Sequence, residues 1–171
     1  MPITALKMNP VMTDPAIELE VQWVCEQPSF SRTTDFESWV RAALEGVRHP
    51  VELVIRVVDE VEGRELNHRY RGKDKPTNVL SFTFDAPSGI ESNHLGDLVI
   101  CAPVVVREAQ EQGKRFNDHL AHLVVHGVLH LRGYDHQTDE EAELMESREK
   151  AILQGLGIKD PYRQIDGAVQ G

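Results

Sequence analysis

HLAHLVVHGVLHLRGYDH, residues 119–136, is apolar on nearly every side until Gly133, yet it carries five of the chain's eight histidines. A helix this apolar all round belongs in a core, so it is expected to run through the middle of the fold. Asn117 or Asp118 is its expected N-cap. Gly133 stands just past its end, where a left-handed residue usually stops a helix. His126 and His130 are four positions apart and so share a helix face about one turn apart. A chain that turns back at Gly133 can bring His136 to the same point. Three neutral imidazoles on one ion leave a tetrahedral position open for water, the arrangement of a catalytic zinc and not of a structural one. Zinc is the first choice for such ligands, although nickel, copper and iron also accept imidazole. His119 and His122 point nearly the same way, one to two turns earlier. They are expected to hydrogen-bond within the core or to line a pocket. Asp135 is expected either to orient a ligand or simply to form the turn.

One residue departs from the zinc-protease pattern HExxHxxGxxH. That pattern places a glutamate beside the first histidine, as general base. Here the position is Gly127, which cannot accept a proton and costs about 1 kcal/mol relative to alanine in mid-helix. Close packing against a neighbouring element is the expected reason for it. A peptidase would need its base from elsewhere in the chain.

Working outward, IELEVQWV (17–24) alternates as a half-buried strand, and VELVIRVVD (51–59) reads as an inner one. Between them Thr34-Asp-Phe-Glu37 forms a capping box for a helix running to about Gly46. Strand, helix, strand in that order implies a parallel pair. Asp59-Glu-Val-Glu62 opens a second helix that stops before Gly72. NVLSFTF (78–84) is a third strand, APSGIESNHLG a polar loop, and GDLVICA a fourth strand. Pro103 sits in the first turn of a helix ending at Gly113. Thr138-Asp-Glu-Glu141 caps a last helix ending near Gly155. The expected fold is α+β, a small mixed sheet of about four strands packed with about five helices. It forms a single domain over residues 1–171, with a loose arm at about 1–14 and a loose tail at about 163–171.

At 171 residues with 40% hydrophobic content, the chain can bury a real core. No apolar run reaches transmembrane length, and no signal peptide is evident, so no membrane role is expected. Cys25 and Cys101 form no CxxC pair, which argues for a reduced, cytoplasmic setting. The net charge of -10 argues against indiscriminate nucleic-acid binding. Residues 64–75, RELNHRYRGKDK, are nonetheless basic, so the chain can hold a phosphate chain locally. Arg71 is the best candidate to grip and neutralise a phosphate, because a guanidinium donates two hydrogen bonds to it. Lys73 and Lys75 are candidate phosphate contacts.

Three segments taken together, YRGKDKPTNVLSF (70–82), LGDLVI (95–100) and HGVLHLRGYDH (126–136), resemble the bacterial endoribonuclease YbeY family. The resemblance spans roughly residues 51–162. It implies a cytoplasmic, single-strand-specific metallo-endoribonuclease that matures the 3′ end of small-subunit ribosomal RNA and serves ribosome quality control. It implies zinc, one ion per chain, on His126, His130 and His136, and a functional arginine at Arg71. It further implies a zincin-like metal helix, and as partners single-stranded ribosomal RNA and the ribosome or its proteins, with no DNA. The sequence leaves the attacking nucleophile open between water and the RNA's own 2′-hydroxyl. Two competing readings remain: a metal-dependent hydrolase of another bond, such as a peptide, and a ribosome-assembly adaptor with a structural zinc. The acidic helix after Thr138, facing a basic partner, would serve the adaptor.

Overall fold

A computed structural model describes residues 16–25 and 35–162. The elements in chain order are β1 (Ile17–Trp23), α1 (Phe36–Ala43), β2 (Val51–Val58), α2 (Glu60–Arg71), β3 (Val79–Thr83), β4 (His94–Cys101), α3 (Ala102–Glu111), α4 (Phe116–Leu131) and α5 (Asp139–Gly155). The sheet order is β1-β2-β4-β3. β1 and β2 pair in parallel, as do β2 and β4. β3 runs antiparallel along β4, with Ser81 opposite Leu98. The expected α+β mixed sheet is therefore the observed one.

The two faces of the sheet bury different sets of side chains. Leu53, Ile55 and Val57 of β2 and Leu98 and Ile100 of β4 join the main core, against α4 and α1. Val58, Leu80, Val99 and Cys101 form a smaller core on the face that Leu66 of α2 covers. Each fully buried Leu or Ile contributes about 1.5–3 kcal/mol, so the larger core dominates. α4 lies at its centre: Leu120, Val124, Val125, Val128 and Leu129 are all fully buried. This is the buried helix its composition demands.

Caps and turns follow the sequence in most places. The Asp59 side chain accepts from the Glu62 amide at 2.9 Å and starts α2. The Thr138 capping box is complete, with both reciprocal bonds formed. Gly72 and Gly133 take positive φ angles, 71° and 101°, and end α2 and α4. Some boundaries differ from expectation. α4 begins at Phe116, with Arg115 as N-cap, so Asn117 and Asp118 lie within the first turn. There the acidic Asp118 favours the positive end of the helix dipole without capping it. α1 ends at Ala43, before Gly46. β4 begins at His94, because Glu52 donates to the Asn93 carbonyl at 2.8 Å and draws the end of the loop into the sheet. Thr34 and the expected terminal arm and tail lie outside the described residues. Asp35 stands at the N-cap of α1 with no side-chain cap bond.

Candidate metal centre

α4 presents one less apolar stripe, and that stripe carries His122, His126 and His130. Gly133 turns the chain after it, so His136 comes back over the same stripe. One ring nitrogen of each of His126, His130 and His136 lies within 4.8 Å of the others. The ring centroids of His126 and His130 are 4.6 Å apart, and those of His130 and His136 are 5.1 Å apart. Hydrogen bonds join none of these rings to one another among the described residues. Burial, and then the neighbouring His126 and His136, push the His130 pKa below its ordinary value. Imidazole nitrogens converging with no hydrogen bond among them suit a divalent cation, so the donor set fits zinc.

The cluster forms one wall of a cavity of about 590 Å³ that Arg71, Ser81, Thr83, His122 and Tyr162 also line. Arg71 reaches it because Gly72 ends α2 at that point. The other two arginines of the basic segment are paired. Arg64 holds Asp74 at 2.8 Å and Arg69 holds Glu65 at 2.9 Å. Arg71 makes no ion pair with any described residue, which leaves its guanidinium available to an anion in the cavity. Lys73 and Lys75 are exposed and lie outside the cavity lining. The Lys75 carbonyl accepts from Asn67 Nδ2 at 2.7 Å, which fixes the loop that carries them.

Gly127 is where two layers meet. A Cβ there would stand 2.7 Å from Leu98 Cδ2 and 3.4 Å from Ser81 Oγ. Close approach of β3 and β4 is thus the reason for glycine, and any larger side chain would have to displace Leu98. Asp135 takes the turn role, its Oδ1 accepting from the His136 amide at 2.8 Å.

The carboxylate that does touch the histidines is Glu149 on α5, and the sequence reading missed it. It is wholly buried. His122 Nε2 donates to its Oε1 at 2.8 Å, Tyr162 Oη donates to the same oxygen at 2.6 Å, and His126 Nδ1 donates to Oε2 at 2.7 Å. Burial works to raise the carboxyl, but the bonds from His122, His126 and Tyr162 outweigh it and hold it at about 2. Burial also pushes the His122 pKa down despite this partner. His119 likewise meets a carboxylate, Glu108 Oε1 at 2.9 Å. The one available signal for Glu149 was a glutamate on the apolar side of an amphipathic helix.

A mixed sheet packed with helices, whose central helix offers three imidazoles to a cleft also lined by an arginine with no ion pair among the described residues, defines an α+β protein with a candidate metal centre. The family model described as endoribonuclease YbeY matches residues 22–157. An endoribonuclease YbeY from Alkalilimnicola ehrlichii is 60% identical over 154 residues, covering 87% of this chain and 93% of that protein. The chain belongs to the endoribonuclease YbeY family and is an endoribonuclease. The family model's match begins at Gln22, at the end of β1, takes in α1, and so extends further toward the N-terminus than the motif-bearing segments. The solution structure of TM1509 from Thermotoga maritima superposes with a TM-score of 0.50 at 24% identity, over 86% of this chain and 99% of that one. That likeness concerns the fold alone. No helix among the described residues is long and apolar enough to cross a membrane.

Proposed function

We propose that this chain is a zinc-dependent endoribonuclease specific for single-stranded RNA. It acts in the cytoplasm, in 3′ end maturation of small-subunit ribosomal RNA and in ribosome quality control. The observation that carries the site assignment is that three imidazoles with no hydrogen bond among them and one unpaired arginine face the same cavity. His126, His130 and His136 hold the ion, on a zincin-like helix within a single catalytic domain. Zinc, when bound, supplies Lewis acidity toward a phosphoryl oxygen. Arg71 grips the scissile phosphate through two hydrogen bonds and neutralises the charge that grows on it. Lys73 and Lys75, beyond the cavity, extend the basic strip along the RNA backbone. A cavity of this size takes in one unpaired nucleotide, whereas a duplex would first have to open. His136 is exposed and the cleft is open on its side, which favours a catalytic ion over a closed structural one. The net charge of -10 repels free RNA, so the ribosome or its proteins present the substrate.

The test is zinc content and RNA cleavage measured side by side for wild type, His126→Ala and Arg71→Ala. One zinc per chain in wild type and Arg71→Ala, with cleavage by wild type alone, supports this reading. Equal cleavage by all three overturns it. Unfolding of His126→Ala, with no cleavage by any of the three, would favour the adaptor with a structural ion. Product ends then identify the nucleophile, because a cyclic phosphate excludes direct attack by water.

A further inference from the structure

We propose that Glu149 is a positioning residue: its buried carboxylate holds the proton of His126 on Nδ1 and so aims Nε2 into the cluster with His130 and His136. The proposal rests on reading that cluster as a metal site.

A carboxylate with no exposure is expensive to place in a core, and a Leu or Met of similar volume would serve packing better. No lysine or arginine among the described residues pairs with Glu149. Its whole compensation is three hydrogen-bond donors, and their division between the two oxygens is uneven. His122 and Tyr162 share Oε1, while Oε2 is left to His126 alone at 2.7 Å. A carboxylate oxygen accepts and cannot donate, so the nitrogen facing it must carry hydrogen. With Nδ1 protonated, the lone pair of a neutral His126 sits on Nε2, the only nitrogen left for the cluster. Without that bond the imidazole could take either tautomer, and one of the two has a proton where the ion belongs.

Glu149 is itself fixed. Tyr162 reaches it because Lys114 Nζ donates to the Pro161 carbonyl at 3.1 Å and the Tyr162 amide donates to Asp160 Oδ1 at 2.8 Å. The Tyr162 ring stands edge-on to His122 at 5.4 Å and closes that side. A negative charge one imidazole away from a dication also offsets part of the ion's charge in a half-buried cleft. His122, His126 and Glu149 themselves lie close enough together to hold an ion. Their nitrogen–oxygen separations of 2.7 and 2.8 Å are those of direct hydrogen bonds, however, and an ion there would have to displace those protons.

The experiment uses the full chain. In metal-free wild type, long-range proton–nitrogen correlation of the histidine side chains should show His126 as the Nδ1–H tautomer. Glu149→Gln should lose that signature and bind zinc, by chelator competition, about 10- to 100-fold more weakly. Tyr162→Phe removes only one of the two donors to Oε1, so it should keep the signature and lose less than about 10-fold in zinc affinity. An Nε2–H tautomer in wild type overturns the proposal without any variant, which guards against Glu149→Gln failing to fold. Wild-type zinc affinity in folded Glu149→Gln also overturns it and leaves the metal reading intact. Failure of wild type to bind zinc overturns the metal reading and the proposal together.

Discussion

Replacing Gly127 with alanine pits two opposing effects against each other, and the structure decides between them. In an ordinary helix interior the change is favourable by about 1 kcal/mol, because glycine loses more backbone freedom on folding. Here the new Cβ would sit 2.7 Å from Leu98 Cδ2 and 3.2 Å from Cδ1, where carbon contacts are comfortable at about 3.5–4.0 Å. Both methyls of Leu98 face the site, so rotating that side chain exchanges one clash for the other. Leu98 has no exposure and cannot move toward solvent. Overpacking of this kind costs about 1–3 kcal/mol, so the expected net is a loss of about 1 kcal/mol. For a chain of this length that lowers Tm by about 2–4 °C. A double-mutant cycle in urea makes the cause visible. Leu98→Val should cost about 1 kcal/mol in the wild-type chain but close to nothing in the Gly127→Ala variant. A rise in Tm for Gly127→Ala, or strict additivity with Leu98→Val, would refute the account of why glycine stands here.

Three further outcomes are expected. Gly96→Ala should be more damaging than Gly127→Ala, with a loss of more than about 2 kcal/mol by urea denaturation. Its Cβ would stand 2.4 Å from the Phe82 carbonyl oxygen, a backbone atom held in the β3–β4 ladder. Thr138→Ala should cost about 1 kcal/mol, read as a lower urea midpoint with unchanged slope, because it removes the bond that the Glu141 amide donates. Glu108 carries an acid-limb prediction. Burial works to raise its carboxyl, but hydrogen bonds from His119 and Asn78 hold it below the ordinary value of 4.5. A folded value below the unfolded one gives stability that is present above pH 4.5 and lost as the pH falls through the folded value. The stability gap between wild type and Glu108→Gln should therefore narrow below that pH, and a gap that stays constant would contradict it.

Much of this protein was written locally in its chain. The strand alternation of β1, the β-branched run of β2, the caps at Asp59 and Thr138 and the glycines at 72 and 133 each act over a few residues. The same holds for His126, His130 and His136, because helical period and one turn suffice to bring them together. The sequence also singled out Arg71, though not that Asp74 and Glu65 would take up Arg64 and Arg69 and leave Arg71 without an ion pair among the described residues. What tertiary structure alone decided lies across long separations. The Leu98 methyls beneath Gly127 depend on how α4 crosses the sheet. The start of β4 moved because a backbone bond from Glu52 on β2 draws Asn93 at the end of the loop into the sheet. Glu149 is the clearest case. In sequence it is one glutamate among many on an acidic helix, and only the docking of α5 against α4 turns it inward onto His122 and His126. Local periodicity specifies which side chains share a face, but which distant face meets it depends on packing, and there the partner of His126 was settled.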